Sequence, residues 1–347
     1  MRRSVATVFL ATLLFAAGVL LLVQYWPGTL DEARGDVAED GLRGRVAEVV
    51  VESAPFVERF GEWVEAARQI ESVTRYDEWG RTVEVSRYLP AGTVDYRIVY
   101  DYLGDLLLSE TSFDGRGRTL YQWSYAYDDA GNVTSLSGYA ADGSLDFKLV
   151  SNYGDDGRLI REVSFDADER MNFESHYTWE PGGALRETSY YTPGGVADYR
   201  TVERLDGQGN RVEEAGYEPE GELLYRVEYD YDPQGRLTEE RAFDGDDQLQ
   251  YHLMNRYDRQ GNVVETSEYS ADGSLFYRYL YEYDDYGNVT ARKSVGEDDQ
   301  TVFRFRYSYE FDESGSWTKR VTERWTARFG EERYEPLSVS YREVTYH

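Results

Sequence analysis

The stretch Tyr257–Glu282, YDRQGNVVETSEYSADGSLFYRYLYE, decides the fold because its pattern recurs along most of the chain. Its Gly261 is followed by an equivalent Gly287, which sets a period of 287 − 261 = 26 residues. Self-similarity at a fixed period is the signature of a repeat architecture. We therefore predict about ten repeats over residues 76–315, with equivalent glycines at positions 80, 104, 131, 157, 183, 209, 235, 261, 287 and 315.

Each repeat carries two turn signals. Asp258 followed three residues later by Gly261 suits a type I turn continued by a left-handed residue, and Asp272-Gly273 is a strong hairpin signal. The segments between turns have strand length and are rich in Tyr, Val and Thr. The pattern predicts an all-β protein, an extended antiparallel β-meander of about twenty strands. At about 4.8 Å per strand, such a sheet would extend on the order of 95 Å.

An extended sheet has two edges that must be protected, and both ends of the chain suggest how. We predict that residues 29–75 form a helical spacer that covers the first edge, or alternatively binds a partner helix. We predict that residues 316–347 form a C-terminal β cap ending in an amphipathic strand. The helical prediction rests on apolar residues at three- and four-residue steps, namely Phe56, Phe60, Trp63, Val64, Ala67 and Ile70.

The N-terminus carries a membrane signal. Arg2 and Arg3 precede residues 5–23, which contain no charge and would form a helix about 28 Å long, enough to cross a bilayer. We predict a transmembrane signal anchor over residues 1–28, in a single-pass protein of the cytoplasmic membrane whose bulk is exported to the periplasm or beyond. The alternative is a cleaved signal peptide and a secreted protein.

Charge and composition exclude several classes of function. The chain has 37 basic and 66 acidic residues, a formal charge of −29, which argues against nucleic-acid binding. It has no cysteine, so thiol chemistry and cysteine metal sites are excluded. The three histidines, His176, His252 and His347, occupy non-equivalent positions and form no catalytic motif. We expect Asp-rich turns to cap themselves rather than bind calcium, and we predict no enzyme, cofactor or metal.

The segment Tyr-Asp-x-x-Gly-(Asn/Arg)-(Val/Leu)-Thr, seen at Tyr127–Thr134 and Tyr283–Thr290, resembles the YD repeat of bacterial Rhs-type proteins. The resemblance covers residues 76–320, and Tyr309–Arg320 resembles the terminal form of such repeats. It implies β-hairpins, which in large members wind into shells, some enclosing a toxin, and to which carbohydrate binding is attributed. This chain is shorter and has no toxin domain, so we expect an open sheet and little role in toxin delivery.

A basic residue follows the second-strand aromatic residue in six repeats. Aromatic rings beside arginines at a fixed pitch could hold a glycan, whereas the alternative is an Arg–Glu ladder with partners such as Glu214, Glu239 and Glu265. The predicted ligand face is Tyr199, Arg200, Tyr225, Arg226, Tyr277 and Arg278, and the full basic series is Arg97, Lys148, Arg200, Arg226, Arg278 and Arg304.

The sequence thus predicts a non-catalytic, membrane-anchored envelope protein. Its repeat surface would bind a protein or an envelope polysaccharide, and we expect a monomer because the sheet edges are capped. The first alternative is a purely structural spacer that holds the C-terminal cap away from the membrane. A part in a toxin-related Rhs-like system is a further alternative.

Overall fold

The computed structural model describes Val37, residues 40–328 and residues 331–347. In this part of the chain the structure is built of strands, with one short 3-10 turn at Glu297–Asp299. The strands are β1 Val46–Arg59, β2 Glu62–Glu65, β3 Gln69–Tyr76, β4 Thr82–Tyr88, β5 Val94–Leu103, β6 Leu106–Asp114, β7 Thr119–Tyr127, β8 Val133–Ala140, β9 Leu145–Tyr153, β10 Leu159–Asp166, β11 Met171–Trp179, β12 Leu185–Tyr191, β13 Ala197–Leu205, β14 Arg211–Tyr217, β15 Leu223–Tyr231, β16 Leu237–Asp244, β17 Leu249–Tyr257, β18 Val263–Ser270, β19 Leu275–Tyr283, β20 Val289–Gly296, β21 Thr301–Phe311, β22 Trp317–Arg328 and β23 Glu331–Tyr346.

The strands close into a ring. From β3 to β23 each strand pairs antiparallel with the next along the chain, and β1 pairs with both β3 and β23. Because β2 pairs only with β1, the described ring has 23 − 1 = 22 strands. The prediction of an open, extended meander is therefore wrong, although the all-β part of it is correct. The first and last strands satisfy each other's backbone groups from Val46 opposite Tyr346 to Pro55 opposite Ser338, so no edge needs a separate cap.

The predicted helical spacer is also wrong. The structure places residues 46–76 in β1, β2 and β3, and the apolar stripe is divided among these strands and their turns. Val46 and Val49 are buried against Val37 and Leu42, in the apolar cluster beside the first repeat. The β-branched run in β1 pairs on both sides, and this long-range pairing overrides the local helical periodicity.

The predicted anchor, residues 5–23, lies outside the described residues. Within those residues, no helix has the length and apolar character needed to cross a membrane. The predicted order of anchor helix, helical spacer and open sheet is corrected, because the supposed spacer forms strands from Val46 onward and two of these, β1 and β3, belong to the ring. The predicted single-pass localisation in the cytoplasmic membrane, which depends on that order, is corrected as well.

The register shows that the strands are tilted. Thr266 is opposite Tyr279, and Tyr279 is opposite Ser294. Thr266 lies 266 − 261 = 5 residues after the glycine of its repeat, whereas Ser294 lies 294 − 287 = 7 residues after its own. The pairing thus advances by two residues per hairpin, as closed tilted barrels require. A circular ring of 22 such strands has a diameter on the order of 40 Å.

The Tyr-Asp-x-x-Gly motif is explained by the turn that joins two repeats. Oδ1 of Asp258 accepts hydrogen bonds from the backbone N–H of Gln260 and Asn262, and Oδ2 accepts one from Nδ2 of Asn262. Gly261 has a φ of +97°, which favours glycine. In several repeats the tyrosine before the Asp reaches the neighbouring turn, as Oη of Tyr283 donates to the carbonyl of Val263 at 2.8 Å. The motif therefore holds consecutive turns together along one rim.

Candidate functional site

The two faces of each repeat differ in chemistry. In β19, Tyr277, Tyr279 and Tyr281 lie on one face, which we call the Tyr face, and all are at least partly buried. Arg278 and Glu282 lie on the opposite face, which we call the Arg face. On the Arg face the position of Glu282 is exposed in repeat after repeat, including at Asn152, Arg204, Asp230 and Arg256. The Arg face is thus the more accessible of the two.

Aromatic partners of the arginines come from the next strand rather than from the neighbouring residue. The guanidinium carbon of Arg200 lies 4.3 Å from the ring centre of Tyr217, and that of Arg226 lies 4.2 Å from the ring centre of Phe243. These distances are those of cation–π contacts. Nη1 of Arg200 also lies 3.6 Å from a carboxylate oxygen of Glu187.

The other contacts of the row are polar. Nη2 of Arg226 lies 2.5 Å from Oδ1 of Asp247, and this hydrogen bond raises the pKa of Arg226. Nε of Arg278 lies 3.2 Å from Oγ of Ser267 and 3.4 Å from a carboxylate oxygen of Glu265. Of the three ladder partners named from the sequence, Glu265 is the one that pairs with an arginine of the predicted face among the described residues.

The tyrosines of the predicted ligand face point away from its arginines. Tyr199 stacks on Tyr190 with ring centres 4.2 Å apart, and Oη of Tyr225 donates to Oε1 of Glu214 at 2.7 Å. Burial raises the pKa of Tyr199 and Tyr225, as it does that of Tyr277. The six predicted residues therefore do not share one surface: the three tyrosines line the Tyr face and the three arginines the Arg face.

Sequence reasoning missed the aromatic half of the accessible site. Tyr217 and Phe243 lie at the end of the first strand of the following repeat, opposite Arg200 and Arg226 in the register. The signal that could have found them is the recurrent aromatic residue before the second turn, at Tyr88, Phe113, Tyr139, Phe165, Tyr191, Tyr217, Phe243 and Tyr269.

Two of the three histidines have structural partners. Nε2 of His176 lies 2.5 Å from a carboxylate oxygen of Glu174, and Nε2 of His252 lies 3.1 Å from one of Glu239. No group of three or more His, Asp or Glu side chains that could hold a metal ion occurs in the part of the chain that the structure describes. The absence of enzyme activity, cofactor and metal stays a prediction.

Comparison with known proteins gives a family match over part of the chain. The model of a family described as "Uncharacterised protein" matches residues 195–322. No curated protein matches. The prediction of a YD-repeat (Rhs-type) protein with an open sheet is corrected, because the matching family model carries no such description and the described sheet is closed.

Several solved structures are similar to the chain at a low level. A porin-like protein from Bacteroides uniformis is 9% identical with a TM-score of 0.30, over 86% of this chain and 96% of that one. A porin-like protein from Bacteroides vulgatus is 11% identical with a TM-score of 0.21, over 87% and 98%. The TcdB2-TccC3-Cdc42 structure is 13% identical with a TM-score of 0.26, over 77% of this chain and 19% of that one.

Proposed function

We propose that this chain is a non-catalytic binding protein that holds an envelope polysaccharide along its Arg face. The observation that carries the proposal is the repetition of one arrangement, a guanidinium held over an aromatic ring, at Arg200 and Arg226 in consecutive repeats. Equivalent residues are two strands apart, about 9.6 Å. A polymer with a regular repeat can therefore make the same contact several times along the ring.

The chemistry of the row suits sugar hydroxyls. The arginines are partly accessible, with side-chain exposures of 32% for Arg200, 21% for Arg226 and 31% for Arg278. Each guanidinium is fixed by a carboxylate, and in the first two also by a ring, so little side-chain entropy remains to be lost on binding. The rings of Tyr217 and Phe243 offer apolar area to the C–H faces of sugars.

The net negative charge of the chain favours a neutral polysaccharide over an anionic one. The formal charge of the chain is −29, and carboxylates already neutralise the arginines of the row. A polyanion would be repelled by the surrounding acid, whereas a neutral polymer would bind without displacing the ion pairs. We therefore propose a neutral polysaccharide, and we expect retention on it to change little with salt.

Co-sedimentation of the purified protein with isolated cell-wall polysaccharide, at low and high salt, tests the proposal. We expect retention at both salt concentrations, and its loss in the triple variant Arg200→Gln, Arg226→Gln and Arg278→Gln with the fold intact. The matched control is Arg204→Gln with Arg256→Gln, which removes two ion-paired arginines of the same face outside the row. Equal retention of the triple variant, or no retention of the wild type at either salt concentration, would refute polysaccharide binding by the row and favour a protein partner or a structural spacer.

A further inference from the structure

Beside the junction of β23 and β1, two arginines share one indole. The guanidinium carbon of Arg342, in β23, lies 3.8 Å from the ring centre of Trp317, and that of Arg320, in β22, lies 5.3 Å from it. Trp317 is buried, with 8% of its surface exposed. We call these three residues the seam cluster. They lie outside the Arg row, with Trp317 and Arg320 on β22 and Arg342 on β23.

The arginines of the seam cluster lack some of their hydrogen-bond partners. Nε and Nη1 of Arg342 and Nε of Arg320 are buried without a hydrogen-bond partner. Buried polar groups in proteins are nearly always hydrogen-bonded, and an unpaired buried charge is costly. The contrast with the Arg row is sharp, because each of Arg200, Arg226 and Arg278 is ion-paired.

The electrostatics of the cluster leave a deficit of negative charge. Burial lowers the pKa of Arg342, Asp40 opposes this, and the like charge of Arg320 lowers it further. The carboxylate of Asp40 already accepts a hydrogen bond from Oη of Tyr76 at 2.5 Å. Two adjacent cations thus lie near the carboxylate of Asp40, which is partly engaged elsewhere.

We propose that the seam cluster binds an oxyanion, a carboxylate or phosphate group of a small ligand. The unpartnered N–H groups of Arg342 and Arg320 are charged donors of the kind that bind the oxygens of either group. The ring of Trp317 lies against the Arg342 guanidinium and restricts its movement. Both arginine residues remain partly exposed, so the cluster lies close to solvent although its unpartnered atoms are buried. The site is independent of the proposed polysaccharide face.

Thermal unfolding in inorganic phosphate and in sodium glucuronate tests the proposal, with sodium chloride at equal ionic strength as the reference. A ligand that binds only the folded state raises Tm in a saturable way. We expect the wild type to gain several degrees in at least one of the two oxyanions, and phosphate or glucuronate will then identify the class. Isothermal titration with the same salts gives the stoichiometry, which we expect to be one per chain.

Arg342→Met is the decisive variant. It removes an under-partnered charge, so we expect it to fold with an unchanged or raised Tm in chloride and to lose the oxyanion response. Arg342→Lys keeps the charge without the fork, and we expect a response weakened at least tenfold in affinity. The matched control is Arg292→Met, which removes another buried, under-partnered Nε that lies over Tyr279 and Phe303 outside the cluster.

Three results would overturn the site. The first is an equal Tm for the wild type in phosphate, glucuronate and chloride. The second is an oxyanion response that survives Arg342→Met. The third is a loss of response in Arg292→Met as large as in Arg342→Met, which would show general attraction of anions to buried arginines rather than a site. Failure of polysaccharide binding by the Arg row has no bearing on these results.

Discussion

Removing one hydroxyl from a tyrosine of the repeat motif tests how the turns are held together. Tyr283→Phe removes the group that donates to the carbonyl of Val263 at 2.8 Å, and leaves the ring in place. The donor and acceptor are 20 residues apart in the sequence, on neighbouring turns. The same bond, also over 20 residues, is made by Tyr102, Tyr127, Tyr153, Tyr231, Tyr257 and Tyr309, and by Nε1 of Trp179.

The magnitude follows from the geometry of the bond. A neutral hydrogen bond of this length contributes about 0.5–1.5 kcal/mol net, so we expect Tyr283→Phe to lower the free energy of unfolding by that amount. Equivalent tyrosines in successive repeats are two strands apart, about 9.6 Å, and effects at that separation add. The triple variant Tyr231→Phe, Tyr257→Phe and Tyr283→Phe should therefore lose about 1.5–4.5 kcal/mol.

Urea unfolding followed by circular dichroism provides the assay. The slope of the transition should stay constant while its midpoint falls, since the variants expose the same surface on unfolding. Tyr279→Phe is the matched control, because it lies in the same strand and no hydrogen bond from its hydroxyl occurs among the described residues. If Tyr279→Phe shifts the midpoint as much as Tyr283→Phe, or if the triple variant shifts it no more than the single one, the explanation of the motif tyrosine is wrong.

Two further predictions concern acid stability and ring closure. Hydrogen bonds, first that from Asn262, lower the pKa of Asp258 below its ordinary value of 3.8. The contribution of Asp258 to stability is therefore complete above pH 3.8 and is lost as the pH falls through the lowered pKa. Asp258→Asn should flatten the fall of the urea midpoint between about pH 5 and pH 2, and an unchanged fall would contradict this. Val50→Pro removes an amide N–H from β1 at the position between Glu343 and Val73, and should speed hydrogen exchange in residues 69–76 and 338–346. Val57→Pro, in the hairpin with β2, should leave the exchange of those residues unchanged. Equal exchange in the two variants would refute the closure of the ring.

The candidate site was only half predictable, and the reason is geometric. The arginines at positions 200, 226 and 278 could be found because a basic residue recurs in a fixed place of the repeat. Their ring partners could not, because consecutive residues of a strand point to opposite faces, which sends Tyr199 away from Arg200. Tyr217 comes beside Arg200 only through the register of two strands, and that register is shifted by an irregularity between Arg204 and Leu205.

Local chemistry determined the turns and strands of this protein from the sequence alone. Asp258 and Gly261 lie three residues apart in a turn that they themselves stabilise, and the segments between turns have strand length and composition, so neither needs a distant partner. The closed ring was decided by the tertiary structure. Closure depends on a tilt that accumulates over all the strands and on β1 meeting β23, with Val50 opposite Glu343. The closeness of Arg320 and Arg342 arises in the same way, because only folding brings these two like charges to one indole.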